Sequence, residues 1–291
     1  MNDQFYINLP KSVPEQKQDK QPGIESLMNP NPIFEDPNYK GSDRLSGKVA
    51  VITGGDSGIG KAVSTAYAKE GADIAIIYYD EHEDAEATKK LIESKGRRCL
   101  LLPGDITDDN FCKSAVQKIM EQFKKIDILV NNAAAQYPQN SIEDITNEQL
   151  EKTFKTNVFS MFYMIRAVMP HFNPGCCIIN TASITAYAGD ELLLDYSATK
   201  GAVVTLTRSL ALSLISRNIR VNAIAPGPVW TPLIPSSFSK EQVGKFGADT
   251  PIGRPAQPVE LAAAYVYLAS PESSYVTGQT IHVNGGAFIG G

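Results

Sequence analysis

From Lys48 onward one arrangement recurs: a short apolar run, a turn, then a longer stretch with apolar residues at helical spacing. The apolar runs at 49–52, 73–79, 98–102, 126–131, 176–181, 219–224 and 280–283 predict seven strands. Between them, helix-length segments begin near Ile59, Glu83, Asp108, Asn147, Asp195 and Pro258. Several follow an Asp, Ser or Thr, whose side-chain oxygen accepts from the free N–H groups of a first helical turn. Strands that are apolar along their length need cover on both faces, and parallel neighbours need a crossover between them. The fold class is therefore α/β, a doubly wound parallel sheet with helices on both faces and ligands at the carboxyl ends of the strands.

The first 44 residues break this pattern. Six of the 18 prolines fall there, at 10, 14, 22, 30, 32 and 37, and no helix or central strand is expected to survive that density. Residues 1–44 read as a proline-rich arm attached to one domain, 45–291. Apolar residues in the arm cluster at Phe5-Tyr6-Ile7 and Ile33-Phe34, so a docked arm and a solvated tail are both open readings.

Composition excludes several classes. With 43% hydrophobic and 20% charged residues the chain has material for a sizeable core. A net charge of -5 with dispersed Lys and Arg argues against a nucleic-acid partner. No apolar run approaches the roughly 18 residues of a membrane span, and the start MNDQFYINLP has neither a basic region nor an apolar one, so a cytoplasmic, unexported protein is expected. Four cysteines (99, 112, 176, 177) and three histidines form no ligand spacing, so no metal is expected. Cys176 and Cys177 lie side by side in a strand run, which points them to opposite faces as reduced core thiols.

The first strand runs into Thr53-Gly54-Gly55-Asp56-Ser57-Gly58-Ile59-Gly60, and a helical pattern follows at once. Glycines allow a tight turn and close approach of backbone to a pyrophosphate, while the helix N-terminus offers unpaired N–H groups and partial positive charge. A tight strand-to-helix turn uses glycine for geometry alone as well. Farther on, Tyr196 and Lys200 stand four apart at the start of a helical stretch and share a face. An ammonium near the phenol favours phenolate and moves tyrosine toward acid/base work near neutral pH; a surface pair one turn apart is the plainer reading. Ser183 follows the strand run at 176–181 and places a hydroxyl at the sheet edge, able to hold a carbonyl or alkoxide oxygen. Asn157 interrupts an apolar helical stretch, where its amide must find partners, a water among them, or else serves as a helix-bending core amide.

In one order along the chain stand Gly-x-x-x-Gly-x-Gly, Asn131-Asn132-Ala133-Ala134, Asn157, Ser183, Tyr196 with Lys200, and Pro226-Gly227-Pro228-Val229. In this the chain resembles the classical short-chain dehydrogenase/reductase family over about residues 45–291, and its arm resembles that of an extended bacterial subgroup often labelled glucose-dehydrogenase-like or general stress oxidoreductases. The resemblance implies a single Rossmann-type domain with strand order 3-2-1-4-5-6-7, a nicotinamide cofactor and a homotetramer. It implies Tyr196 as catalytic acid/base, Lys200 as the residue that lowers its pKa and binds the nicotinamide ribose, Ser183 as the substrate-orienting hydroxyl, and Asn157 as holder of a relay water. Gly54, Ser57, Gly58, Ile59 and Gly60 would hold the pyrophosphate side, Asp105 with Ile106 the adenine, and Asn132 and Ala133 the nicotinamide ribose. Pro226, Gly227, Val229 and Thr231 would flank the carboxamide, and Thr181 and Asp56 complete the implied contacts.

At the end of strand two, where NAD-using members often carry an acid, the chain has Tyr78, followed by Tyr79 and Asp80. Asp80 lies twenty residues after Gly60, the spacing of the general ribose-binding acid, but two positions beyond the family's place. No Lys or Arg follows this strand, so NAD is expected over NADP. The expected function is hydride transfer between NAD(H) and an alcohol or carbonyl substrate. An NADP-dependent carbonyl reductase and a non-catalytic dinucleotide sensor are the alternatives. Residues 231–254, with Leu233, Ile234, Phe238 and Phe246, occupy the family's substrate lid, and Tyr137, Tyr187 and Trp230 suggest a partly apolar pocket, although core packing accounts for the same residues.

Overall fold

Apolar side chains at successive positions of a strand point to opposite faces and require two cores, and the chain builds both. The computed structural model describes residues 4–290. Seven strands, β1 (Val49–Thr53), β2 (Asp73–Tyr78), β3 (Cys99–Pro103), β4 (Ile128–Asn131), β5 (Cys177–Thr181), β6 (Arg220–Pro226) and β7 (Thr280–Val283), form one parallel sheet ordered β3-β2-β1-β4-β5-β6-β7. Val51 pairs with Ala75 on one side and with Leu129 on the other. Val49, Val51, Ala75 and Ile77 enter one core, while Ala50, Ile52, Ile74 and Ile76 enter the core on the opposite face. Cys176 and Cys177 divide between the same two cores, and both thiols are free.

The helices follow from their own patterns. In Asp109–Phe123, Asp108 accepts from the Asn110 N–H at 2.9 Å, Cys112, Ala115, Val116, Ile119 and Phe123 form the buried stripe, and left-handed Lys124 ends it. With Ser160–Val168 and Leu194–Leu214 it covers the first core; Gly58–Lys69 and Val259–Ala269 cover the second. Strand ends depart from the sequence expectation by a residue or two. β4 starts at Ile128 because Asp127 turns its carboxylate back to accept from the Val49 N–H at 2.8 Å. The chain starts at β1, winds outward to β3 and returns to β4 beside β1, so the strand order reverses there and a crevice opens at the carboxyl ends. Among the described residues no helix is long and apolar enough to cross a membrane.

The arm lies against the domain, though not through both expected clusters. Tyr6 and Ile7 are 42% and 64% exposed, so that cluster does not anchor it. Leu9, Val13 and Met28 are buried instead, and Val13 and Met28 pack with Trp230, Ile234 and Val243. Phe34 does dock, against the second core and under the Lys61 ammonium, 4.4 Å from its ring centre. Contrary to expectation the arm holds one helical turn at Gln4–Ile7 and a shorter one at Glu25–Leu27. Its extended stretches have few internal partners for their amides, so side chains of the domain supply several of them. Asp84 accepts from the N–H groups of Glu25 (2.6 Å) and Ser26 (3.2 Å), and Gln257 from that of Ile33 (2.8 Å). The buried Glu25 carboxylate accepts from the Gly58 N–H at 2.7 Å and pairs with Lys61 at 2.5 Å.

Because all seven strands lie beyond residue 45, we treat the arm as an addition to a complete domain. Deleting residues 1–40 would uncover Trp230 and leave the Lys61 charge without its partner. A fall in Tm of at least about 5 °C is expected, since each kcal/mol shifts a domain of this size by roughly 2–4 °C. Calorimetry of both forms checks this; a Tm within about 2 °C of the full chain would show that the docking stabilises nothing.

Candidate active site

The carboxyl ends of the strands open into a cavity of about 970 Å³. Its phosphate-binding wall is the turn after β1. Gly54 and Gly58 have φ of 62° and 50°, a backbone that side chains rarely adopt. A Cβ on Gly60 would stand 1.8 Å from the Gly54 oxygen, so the helix start packs directly on the turn. Gly54, Asp56, Ser57, Gly58 and Ile59 line the cavity; Gly60 lies behind them as the contact that brings the helix N-terminus close. The Thr53 hydroxyl accepts from the N–H groups of Asn132 (3.0 Å) and Ala133 (3.1 Å), and the Asn132 amide donates back to Gly54 O at 3.1 Å. This locks the exits of β1 and β4 together and places Asn132 and Ala133 on the cavity wall.

At the β2 end, Tyr78, Tyr79 and Asp80 line the cavity, with Asp105 and Ile106 from the β3 exit. Asp105 also accepts from the Thr107 N–H at 2.8 Å and so shapes the turn after β3. Asp56 is buried; burial, reinforced by the Glu81 carboxylate, pushes its carboxyl up to about 7. It is therefore a weaker source of negative charge than its sequence position suggests. The expectation that no cation stands at this end does not hold: Lys20 of the arm reaches across and pairs with Asp80. Lys20, Gln21, Pro22 and Gly23 all line the cavity, contacts hidden from sequence reasoning because they join residues some sixty positions apart or more.

The reacting end gathers on three elements. Tyr196 and Lys200 lie on helix Leu194–Leu214, Thr181 ends β5 and Ser183 follows it, and all four line the cavity. Buried Asp195, held by Thr153 Oγ1 at 2.7 Å and Gln149 Nε2 at 3.1 Å, pins the start of that helix. The Lys200 ammonium donates to Thr181 O at 2.8 Å and stands 5.4 Å from the Tyr196 ring centre. Electrostatics here oppose the simple sequence expectation. Burial pushes the Tyr196 phenol up to about 12, with the Ser183 hydroxyl acting the other way and Asp190 adding to the rise. Burial likewise brings Lys200 down to about 7. In both groups the dominant cause is that the charged form loses its hydration.

Asn157 sits in a widened π turn, Lys155–Phe159, behind the cavity. Its amide accepts from the Ala135 N–H at 2.8 Å and donates to Ala135 O at 2.9 Å and Thr199 Oγ1 at 3.1 Å. The side chain thus braces the segment after β4 against the helix of Tyr196 and Lys200.

On the remaining wall, Pro226, Gly227, Val229 and Thr231 line the cavity, followed by Leu233, Ile234, Phe238 and Phe246 from the segment expected to be a lid. A Cβ on Gly227 would meet the Asn284 backbone at 2.7 Å. Tyr137 lines the cavity as expected, but Tyr187 does not; it packs on His282 and Phe288. Trp230 is wholly buried under the arm, its N–H donating to Pro30 O at 2.9 Å. Sequence reasoning also missed Gln136, which is buried, and the exposed Glu148, Lys152 and Asp190 on the wall, polar residues with no local signature. The glycine cradle, the helix N-terminus and the length of cleft from Asp105 to Ser183 fit a dinucleotide, and the buried, unpartnered Asp80 Oδ1 and Glu81 Oε1 await donors at one end.

Residues 54–287 match the protein family described as enoyl-(acyl carrier protein) reductase. The chain is 65% identical over 274 residues to the uncharacterized oxidoreductase YhdF of Bacillus subtilis (strain 168), covering 94% of this chain and 95% of that one. It is 50% identical to the glucose and ribitol dehydrogenase of Daucus carota over 96% of this chain and 98% of that one. Among solved structures, a short chain dehydrogenase from Burkholderia cenocepacia J2315 in complex with NADP superposes with a TM-score of 0.79 at 31% identity, covering 84% of this chain and 99% of that one. The 3-ketoacyl-(acyl-carrier-protein) reductase of Brucella melitensis complexed with NADH gives 0.77 at 36% identity, covering 84% and 100%. A cleft built for a dinucleotide on this sheet order, with likeness of that extent, leaves one assignment: the chain belongs to the short-chain dehydrogenase/reductase family, NAD(P)-dependent oxidoreductases that act on alcohol and carbonyl groups.

Proposed function

We propose that Tyr196 passes the proton while hydride moves between NAD(H) and an alcohol or carbonyl carbon. The observation that carries this is the convergence of the Tyr196 phenol, the Lys200 ammonium and the Ser183 hydroxyl on one cavity beside a dinucleotide cradle. Hydride acceptance and donation belong to the nicotinamide. The chain's own residues hold the reacting oxygen, through Ser183 and Tyr196, and exclude water beneath the lid. Lys200, tethered to Thr181, holds the nicotinamide ribose and favours the phenolate as the proton leaves; Asn157 braces the segment on which the site rests. The sensor alternative loses ground because a pure binding module needs no buried phenol and ammonium side by side.

Further parts of the reading are also proposals. The similarity to YhdF spans 274 residues, more than the 247 of the domain alone, which supports placing this chain with relatives that carry the arm. Exposed apolar Phe162, Leu212 and Ile215 on outer helical segments favour a homotetramer, and the chain's composition favours the cytoplasm. The carrot relative's name makes glucose and ribitol the first compounds of a substrate panel.

The cofactor reading remains NAD over NADP. A 2′-phosphate brings about -1.5 to -2 charges, and Asp80 and Glu81, joined by Asp56 when ionised, outnumber Lys20. A preference of at least ~10-fold for NAD is expected, about 1.4 kcal/mol, narrowing with added salt. Specificity constants for both cofactors, followed by NAD(P)H absorbance over the panel, test it; equality or preference for NADP would overturn the argument from charge. The Lys20 contact and the likeness to the NADP-bound Burkholderia structure favour the alternative, an NADP-dependent carbonyl reductase.

A further inference from the structure

Residues 18–24 form a closed loop held at both ends. Gln18 donates through its side chain to Ile24 O at 2.8 Å and accepts from the Ile24 N–H at 2.7 Å. Its own N–H donates to Pro235 O in the lid at 2.7 Å. Gln21 donates to Gln136 O at 2.8 Å, beyond β4, and accepts from the Gln136 N–H at 3.2 Å. Gly23 packs so closely that a Cβ would stand 2.3 Å from Pro232 O. The loop is thus set in place by lid and sheet edge, and Lys20 at its tip is carried to the β2 end of the cavity beside Tyr79 and Asp80.

Two features there point to the part of a dinucleotide that distinguishes its two forms. Asp80 Oδ1 and Glu81 Oε1 are buried without a donor, while Asp80 Oδ2 is taken by Lys20. Of the other lysines that line the cavity among the described residues, Lys200 is bound to Thr181, Lys152 stacks on Tyr137 and Lys155 pairs with Glu151, leaving Lys20 as the cation of the β2 end. Its side chain is 61% exposed, and an exposed ion pair is held weakly. A stronger anion placed beside it would therefore draw the ammonium from Asp80.

We propose that Lys20, delivered by the N-terminal arm, is a specificity-determining residue for the cofactor: it screens Asp80 and meets the 2′-phosphate of NADP, so that the site retains NADP binding which its carboxylates alone would oppose. This rests on the dinucleotide reading of the cavity and assigns to the arm a share in cofactor choice.

The test is calorimetric binding of adenosine 2′,5′-bisphosphate and adenosine 5′-monophosphate to the full chain and to Lys20→Gln, Lys20→Arg and Asp80→Asn. These probes differ by the 2′-phosphate and involve no turnover. Lys20→Gln should weaken the bisphosphate at least roughly 5-fold, the loss of one largely water-screened charge contact, and the monophosphate less than about 2-fold. Lys20→Arg should restore most of the difference, and Asp80→Asn should strengthen the bisphosphate. Equal weakening of both probes in Lys20→Gln would make Lys20 a mere part of the strap, and no change would remove it from the site; either overturns the proposal alone. A wild-type chain that binds neither probe would overturn the dinucleotide reading with it.

Discussion

Tyr196→Phe is expected to lower turnover at least ~100-fold, the scale of general acid–base catalysis, while the protein stays folded and keeps its affinity for the cofactor. The ring is buried in the wall of the cavity and phenylalanine fills nearly the same space, so little packing is lost. On the proposed mechanism the hydroxyl that exchanges the proton is gone, and Ser183 would still orient the reacting oxygen without an activating partner. Turnover should fall with the substrate KM little changed, which separates loss of chemistry from loss of fit. Steady-state rates together with nucleotide titration decide it; activity within about threefold of wild type would remove Tyr196 from its role.

Lys200→Met should cost turnover on a similar scale, ~100-fold, and weaken cofactor binding as well, because one ammonium serves both ribose and phenol. The rising limb of the pH–rate profile should move to higher pH, since the cation that favours phenolate is absent. Stability should move the opposite way from activity. Burial depresses Lys200 from 10.5 to about 7, so between these values the unfolded chain binds a proton that the folded chain does not. Stability of the wild type therefore rises with pH across that window, and the cost of the buried ammonium is fully present below about 7. The Met variant carries no such cost and should melt at or above the wild-type temperature at pH 7, with its advantage fading toward 10.5. Melting and rate profiles over pH check both halves; an unchanged rate profile with unchanged NAD affinity would contradict the assignment.

The contrast between these two residues shows what local pattern carries. That Tyr196 and Lys200 share a helix face followed from their spacing, because four residues make about one turn. The direction in which each is perturbed did not follow, because desolvation depends on which distant segments close over them. Asn157 behaves likewise. Its polar break in an apolar run marked a site, yet its partners Ala135 and Thr199 are 22 and 42 positions away, and only folding brings them into reach.

The sequence by itself determined the alternation of strands and helices, the doubly wound class, the glycine turn and the shared helix face of Tyr196 and Lys200. Each is written in neighbouring residues, as a period, a turn requirement or an i,i+4 spacing. Tertiary structure alone decided where the arm goes. Nothing near Lys20 in the chain announces Asp80, sixty residues on, and nothing near Glu25 announces Gly58 and Lys61. It also sent Tyr187 outward to His282 and Phe288, and sealed Trp230 beneath Pro30. An extended, proline-rich segment has no periodicity of its own and bonds few of its amides internally, so its path is chosen largely by the side chains of the domain that receive it.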